Sequence, residues 1–106
     1  MDYVKICGVN YHLVKKSQLE MPEDLGECHS DLQQIWLNAT NTAETNTNTI
    51  LHECLHAISD AYQIDLSERQ VCVLATALIA FARDNPEHSK VIFGLPQQFD
   101  DESGFP

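Results

Sequence analysis

Two histidines and a glutamate form the most reactive-looking group in this sequence. They stand in TILHECLHAISD, residues 49–60, where His52 and His56 are four positions apart and Glu53 directly follows the first. On an α-helix, residues four apart lie one above the other, about 6 Å along the axis, so both imidazoles face one side. One tetrahedral zinc ion requires that separation, and Glu53, about 100° around the helix, can reach a zinc-bound water without becoming a ligand. The spacing predicts a hydrolytic zinc site with Glu53 as the general base.

The hydrophobic pattern around this group predicts the helix that must carry it. Leu51, Leu55 and Ile58 recur at helical spacing opposite the histidines. The alternative is an ordinary amphipathic helix whose solvent-exposed side carries His, Glu and His by chance. No Lys or Arg occurs in residues 17–68, although a solvent-exposed helix face normally contains them. This composition favours the zinc site.

A catalytic zinc also needs a third protein ligand, with water in the fourth position. The candidates are Asp60, Glu68, Cys72, His29 and His88. Asp60 lies two turns from His52, about 12 Å along the axis, which is too far for it to join both histidines. Glu68 opens the next helix, which must fold back antiparallel, so its side chain can swing toward the metal. Nothing in the sequence positions Cys72 or His88.

The first 38 residues predict a small sheet. YVKICGVNYHLV (3–14) is rich in β-branched and aromatic residues and predicts two strands joined at Gly8-Val9-Asn10. ECHSDLQQIWLN (27–38) predicts a hairpin that turns at Ser30-Asp31. Residues 39–49, which contain no large apolar side chain, predict either a polar loop or a helix start rich in capping residues.

A second helix is predicted after the histidine helix. Ser67 and Gln70 form a capping box that opens it, and Asn85-Pro86 ends it. Its sequence, ERQVCVLATALIAFARD, is apolar on nearly every side, which predicts a central buried helix. Val91, Ile92 and Phe93 are expected to add a strand or to pack on the core.

Composition predicts one small cytoplasmic domain, residues 1–106, of which about 97–106 form a flexible acidic tail. The 106 residues and 43% hydrophobic content suffice for a single core. The formal charge of −10 argues against nucleic acid and anionic membranes as partners and favours a basic peptide or protein surface. No apolar run approaches the roughly 18 residues of a membrane span, and the N-terminus has no secretory pattern.

Several other residues receive structural interpretations. The four cysteines, which show no CxxC spacing, are expected to be reduced, and Cys54 and Cys72 are expected to be core thiols. Trp36 is expected to be a partly buried aromatic of the sheet. Asp60 could accept an imidazole N–H and so orient a histidine.

TILHECLHAI followed by SERQVCVLATAL resembles the gluzincin metallopeptidases, and most closely the small ImmA/IrrE-like and phage-encoded minimal zincins. That family carries HExxH on one helix and a glutamate ligand on the next, in a pattern like ExxA(D/N)xxA. ERQVCVLA (68–75) matches, with Glu68 at the ligand position, Val71 at the small apolar position and Ala75 at the later alanine. The resemblance therefore implies that Glu68 joins both histidines as a zinc ligand.

Two features depart from the family pattern. Cys72 stands where the family has an Asp or Asn that supports a ligand histidine. The gap from His56 to Glu68 is also shorter than gluzincins usually show.

The resemblance further implies an α+β minimal zincin, with a small, mostly antiparallel sheet packed on the HExxH helix and a second buried helix. In such a fold the strand Gln33–Asn38 would be a free edge that pairs with an extended peptide substrate. The implied activity is hydrolysis of a peptide bond in a specific protein, such as a repressor. The alternative is a non-catalytic binding or adaptor protein on the same scaffold, of phage or mobile-element origin. Glu53 favours the enzyme, because a purely structural metal site needs no general base.

Overall fold

The computed structural model of this protein describes residues 2–94, which form an α+β structure with a four-stranded mixed sheet. In chain order the elements are β1 (Tyr3–Ile6), β2 (Val9–Lys16), β3 (Gly26–His29), β4 (Gln34–Asn38), α1 (Ala43–Tyr62), α2 (Glu68–Asp84) and α3 (Pro86–Ile92). The described part of the chain divides into two compact units, residues 2–75 and residues 76–94. The first holds the sheet, α1 and the start of α2. The predicted tail, 97–106, lies outside the described residues.

The sheet has the strand order β1-β2-β4-β3. β1 pairs with β2 and β3 pairs with β4 in antiparallel fashion, whereas β2 and β4 are parallel. A parallel pair needs a crossover connection, and here the crossover contains β3, which returns to the outer side of β4. The predicted α+β class is therefore confirmed, and the sheet is a mixed one with two antiparallel pairs and one parallel pair.

The prediction that the strand Gln33–Asn38 is a free edge is wrong. β4 lies inside the sheet, with β2 on one side and β3 on the other. Its side chains Ile35 and Leu37 are 0% and 4% exposed, as expected for a central strand. The edge next to it is β3, because the hairpin turn reverses the chain and places β3 outside its partner.

The core of the first unit has two parts, one on each side of α1. Residues of the sheet pack with Ala57 of α1 in the first: Ile6, Tyr11, Ile35 and Leu37. In the second, Leu55 packs against Val71 and Ala75 at the start of α2. α1 is therefore held between the sheet and the returning chain, which leaves one long side of the helix for polar residues.

α1 begins well before its apolar pattern does. The Thr42 hydroxyl caps the helix by accepting a hydrogen bond from the backbone N–H of Thr45 at 3.1 Å. Residues 39–49 therefore supply a helix start, one of the two structures predicted for them. At the other end, Gln63 adopts a left-handed conformation with φ of 56°, and its N–H bonds back to the last turn.

The prediction that α2 is a buried helix is wrong. Val71 and Ala75 are its buried residues, while Val73, Leu74 and Phe81 are exposed. The two buried side chains, four residues apart, form a narrow stripe that packs against Leu55 of α1. No described helix is both long enough and apolar enough to cross a lipid bilayer.

The ends of α2 and the start of α3 follow local rules. The capping box is confirmed, since the N–H of Ser67 donates to Gln70 Oε1 at 2.8 Å and the N–H of Gln70 donates to Ser67 Oγ at 3.1 Å. Of the two alternatives for Val91, Ile92 and Phe93, the strand does not form, because Val91 and Ile92 lie in α3. Ile92 and Phe93 are exposed, so these two do not pack on the core either. Pro86 opens that helix, where its fixed φ and missing N–H are compatible with the first turn.

Asn38, at the end of β4, fastens the loop that links β2 to β3. Its buried amide donates to the carbonyls of Met21 at 2.9 Å and Asp24 at 3.2 Å, and to Gln18 Oε1 at 3.1 Å. Its carbonyl oxygen accepts from the N–H of Thr40 at 3.0 Å and from the hydroxyl at 2.7 Å. This one side chain therefore positions the chain segment that leads into β3.

We expect Asn38→Asp to destabilise the protein by about 3 kcal/mol, because a buried carboxylate would face three oxygen acceptors without a donor. Urea unfolding checks this. The matched control is Asn10→Asp, the same chemical change at an exposed position of β2, which should alter stability by about 0.5 kcal/mol or less. Equal effects of the two substitutions would contradict the role assigned to Asn38.

Candidate functional site

His52 and His56 lie on one side of α1, as their spacing predicted. Their ring centroids are 5.0 Å apart, and the side chains are 15% and 29% exposed. Both are therefore partly buried yet reachable from solvent.

Glu68 lies between the two imidazoles. Its Oε2 is 2.9 Å from His52 Nε2, and its Oε1 is 2.9 Å from His56 Nε2. Partial desolvation raises the pKa of this carboxyl, but the two histidines outweigh it, so the pKa of Glu68 is lower than that of a free glutamate. The carboxylate of α2 therefore bridges the two imidazoles of α1, with one oxygen on each.

A short connection with fixed geometry brings Glu68 to this place. The Ser59 hydroxyl, on α1, accepts a hydrogen bond from the N–H of Leu66 at 2.8 Å, which ties the connection to the helix. Ser67 then caps α2, which places Glu68 in its first turn. The segment between His56 and Glu68, although shorter than in most gluzincins, is thus long enough for the two side chains to come within 2.9 Å of each other.

Cys72 lies one turn further along α2, beside the same group. Its Sγ is 3.9 Å from His52 Nδ1 and 3.6 Å from Glu68 Oε2. The side chain is exposed, so the expectation of a core thiol is wrong for Cys72. The sequence does indicate that Cys72 lies near Glu68, because residues four apart on a helix share one face. Desolvation and the Glu68 carboxylate raise the pKa of the Cys72 thiol.

Cys54 differs from Cys72, since it is half-buried and packs against the core between α1 and the sheet. Burial raises the pKa of its thiol to about 11. The prediction of a core thiol holds for Cys54.

Donor atoms of His52, Glu68 and Cys72 all lie within 4.8 Å of one another, so this group could hold a metal ion. His56 is not part of this group of three, but its Nε2 contacts the other oxygen of the same carboxylate, Oε1, at 2.9 Å. Imidazole nitrogen, carboxylate oxygen and thiolate sulfur are all ligands of zinc in proteins, and the donor chemistry therefore fits that ion.

Glu53 lies next to this group but is buried, with 6% of the residue exposed. Desolvation raises its pKa to about 7, an effect that His56 opposes and that the Glu68 carboxylate strengthens. A carboxyl with such a pKa exchanges protons readily near neutral pH.

These side chains line a cleft of about 750 Å³. β3 forms one wall, α1 the floor, and the start of α2 contributes Glu68 and Cys72. The acidic residues of its lining are Glu23, Asp24, Glu27, Glu53, Asp60 and Glu68. Among the described residues, no Lys or Arg lines it, so the cleft favours positively charged groups.

Asp60 and His88 do not take the ligand role considered for them from the sequence. Asp60 Oδ2 accepts a hydrogen bond from the Ser30 hydroxyl at 3.0 Å, so it links α1 to the β3–β4 turn instead of orienting an imidazole. His88 lies on α3, in the second compact unit.

His29 is engaged by neighbouring sheet residues. Its Nε2 is 2.9 Å from Glu27 Oε1, and its ring lies 3.9 Å from the ring of Trp36. Trp36 is partly buried, as predicted, and also has the Lys16 ammonium 4.3 Å from its ring centroid.

No protein-family model, no curated protein and no solved structure matches this chain. The resemblance to gluzincins consequently stays a prediction from the sequence.

Gly26 sets the distance between β3 and α1. A Cβ at this position would overlap the Thr49 methyl group and would lie 3.2 Å from Glu53 Oε2. The missing side chain therefore allows the edge strand to pass directly over Thr49 and Glu53 of α1.

We expect Gly26→Ala to destabilise the protein by about 1–3 kcal/mol through overpacking. Adding Thr49→Ser, which removes the obstructing methyl, should recover part of this loss, with a coupling of about 1 kcal/mol in a double-mutant cycle followed by urea unfolding. Gly8→Ala is the control. A Cβ there meets open space, and its φ of 84° makes the substitution unfavourable for backbone reasons alone. Coupling of Gly8→Ala to Thr49→Ser, or none for Gly26→Ala, would refute this packing.

Proposed function

We propose that this protein is a zinc-dependent metallopeptidase of the gluzincin type, in which His52, His56 and Glu68 hold the ion. One observation carries the proposal: two imidazole Nε2 atoms lie 2.9 Å from the two oxygens of one carboxylate that comes from a different helix. Two neutral imidazoles and one carboxylate are a ligand set of catalytic zinc. An ordinary surface ion pair joins one cationic group to one carboxylate, whereas here two imidazoles contact the same carboxylate.

Zinc in this position would supply a coordinated water of lowered pKa and would polarise the carbonyl of the substrate. Glu53 is the residue that moves the proton. It accepts the proton of the attacking water and then donates it to the nitrogen of the leaving group. Its burial beside the histidines and its pKa of about 7 support this role, because the same carboxyl must both accept and release a proton.

The substrate is proposed to be an extended peptide segment of a protein. β3, the edge strand along the cleft, takes the role that the sequence assigned to the strand Gln33–Asn38. The free backbone groups of an edge strand can pair with an incoming peptide. The acidic lining of the cleft favours basic side chains in that peptide, and a repressor remains the kind of substrate that the resemblance implies.

A non-catalytic adaptor could use the same cleft to bind a peptide without cutting it. Glu53 argues for the enzyme, because burying a carboxyl at the base of the cleft opposes folding at neutral pH. A binding surface gains nothing from that burial.

Zinc binding and hydrolysis can be tested in matched variants. After removal of metal and reloading, we expect one zinc per chain in the native protein and in Glu53→Gln, and loss of zinc in His52→Ala and His56→Ala. Elemental analysis with circular dichroism as a fold check measures this.

Cleavage of an unfolded, lysine-rich protein should fall by about 100-fold or more in Glu53→Gln. Glu44→Gln, an exposed change in the first turn of α1, is the control and should leave both properties intact. Native protein that binds no zinc, or zinc binding that survives loss of both histidines, would overturn the proposal.

A further inference from the structure

Cys72 is better placed for coordination than for packing. The side chain is exposed on α2, so it is not part of the apolar core. Its sulfur lies near a nitrogen of His52 and an oxygen of Glu68, which are both possible metal ligands. A thiol is a weak hydrogen-bond partner, whereas a thiolate is a strong ligand for zinc and softer metals.

The distances fit a shared ion. Two ligands of a tetrahedral zinc, one sulfur and one oxygen, lie about 3.5 Å apart when the bonds have their usual lengths. Cys72 Sγ and Glu68 Oε2 are 3.6 Å apart. One donor atom each of His52, Glu68 and Cys72 lies within 4.8 Å of the other two. The sulfur is 3.9 Å from Nδ1 of His52, whereas Nε2 faces Glu68, so Cys72 must rotate toward Nε2 for all three to share one ion.

We propose that Cys72 is itself a metal ligand beside His52 and Glu68. With His56, which the proposed zinc site adds, its thiolate would close the fourth coordination position. This inference rests on the proposed zinc site and adds a level of control to it. With four protein ligands the ion has no place for water, as in structural zinc sites. Hydrolysis then requires Cys72 to leave, and its exposed position on the rim of the cleft allows that movement.

Cobalt substitution tests the inference with a signal that does not depend on activity. Reduced, metal-free protein is titrated with Co²⁺ under anaerobic conditions, and the thiolate-to-cobalt charge-transfer band in the near ultraviolet is recorded. We expect the band in the native protein and its loss in Cys72→Ser, which should still bind cobalt through the other ligands. Cys28→Ser is the matched control, since Cys28 is the other cysteine lining the cleft, and it should keep the band.

Metal preference gives a second measurement. Because cadmium favours sulfur more than zinc does, Cys72→Ser should weaken cadmium binding by at least about tenfold more than zinc binding. Equal weakening for the two metals would overturn the inference.

The outcomes separate the two proposals. Cobalt bound without a thiolate band, or with a band that persists in Cys72→Ser, overturns ligation by Cys72 and leaves the histidine–glutamate site standing. No cobalt binding at all, or binding that is unchanged in His52→Ala, overturns both. Circular dichroism confirms that each variant is folded, which is expected for an exposed Cys-to-Ser change.

Discussion

The return of α2 against α1 is the constraint on which the site depends. Leu55 of α1 packs on Val71 and Ala75 at the start of α2, and all three side chains are buried. The same packing brings Glu68 to both imidazoles, because the carboxylate stands one turn before Val71 on the neighbouring side of α2. Apolar packing therefore supplies the energy that holds three polar side chains together.

The sheet adds the second wall and fixes its distance. β3 approaches α1 where Gly26 has no side chain, directly beside Glu53. Asn38 fastens the preceding loop, so the acidic residues Glu23 and Asp24 are held at the cleft. The site is consequently built from local segments that are each anchored by one or two specific contacts.

The sequence predicted the parts of this structure that local rules determine. The four-residue spacing placed His52 and His56 side by side because helical geometry is a local property. The β3–β4 hairpin and the capping box at Ser67 follow from neighbouring residues in the same way. Strand order does not, since the pairing of β2 with β4 joins distant segments, and so the edge was assigned to the wrong strand. The exposure of Cys72 likewise depends on which side of α2 packs against α1, and hydrophobic periodicity does not predict this for a helix that is apolar on nearly every side.

The central claim is that the two histidines and Glu68 share one ion. Anomalous diffraction at the zinc absorption edge, from crystals grown with zinc, tests it most directly. The account predicts a single strong peak about 2.0–2.2 Å from His52 Nε2, His56 Nε2 and an oxygen of Glu68. No peak at this point, with both imidazoles still bonded to the carboxylate in the presence of zinc, would contradict it.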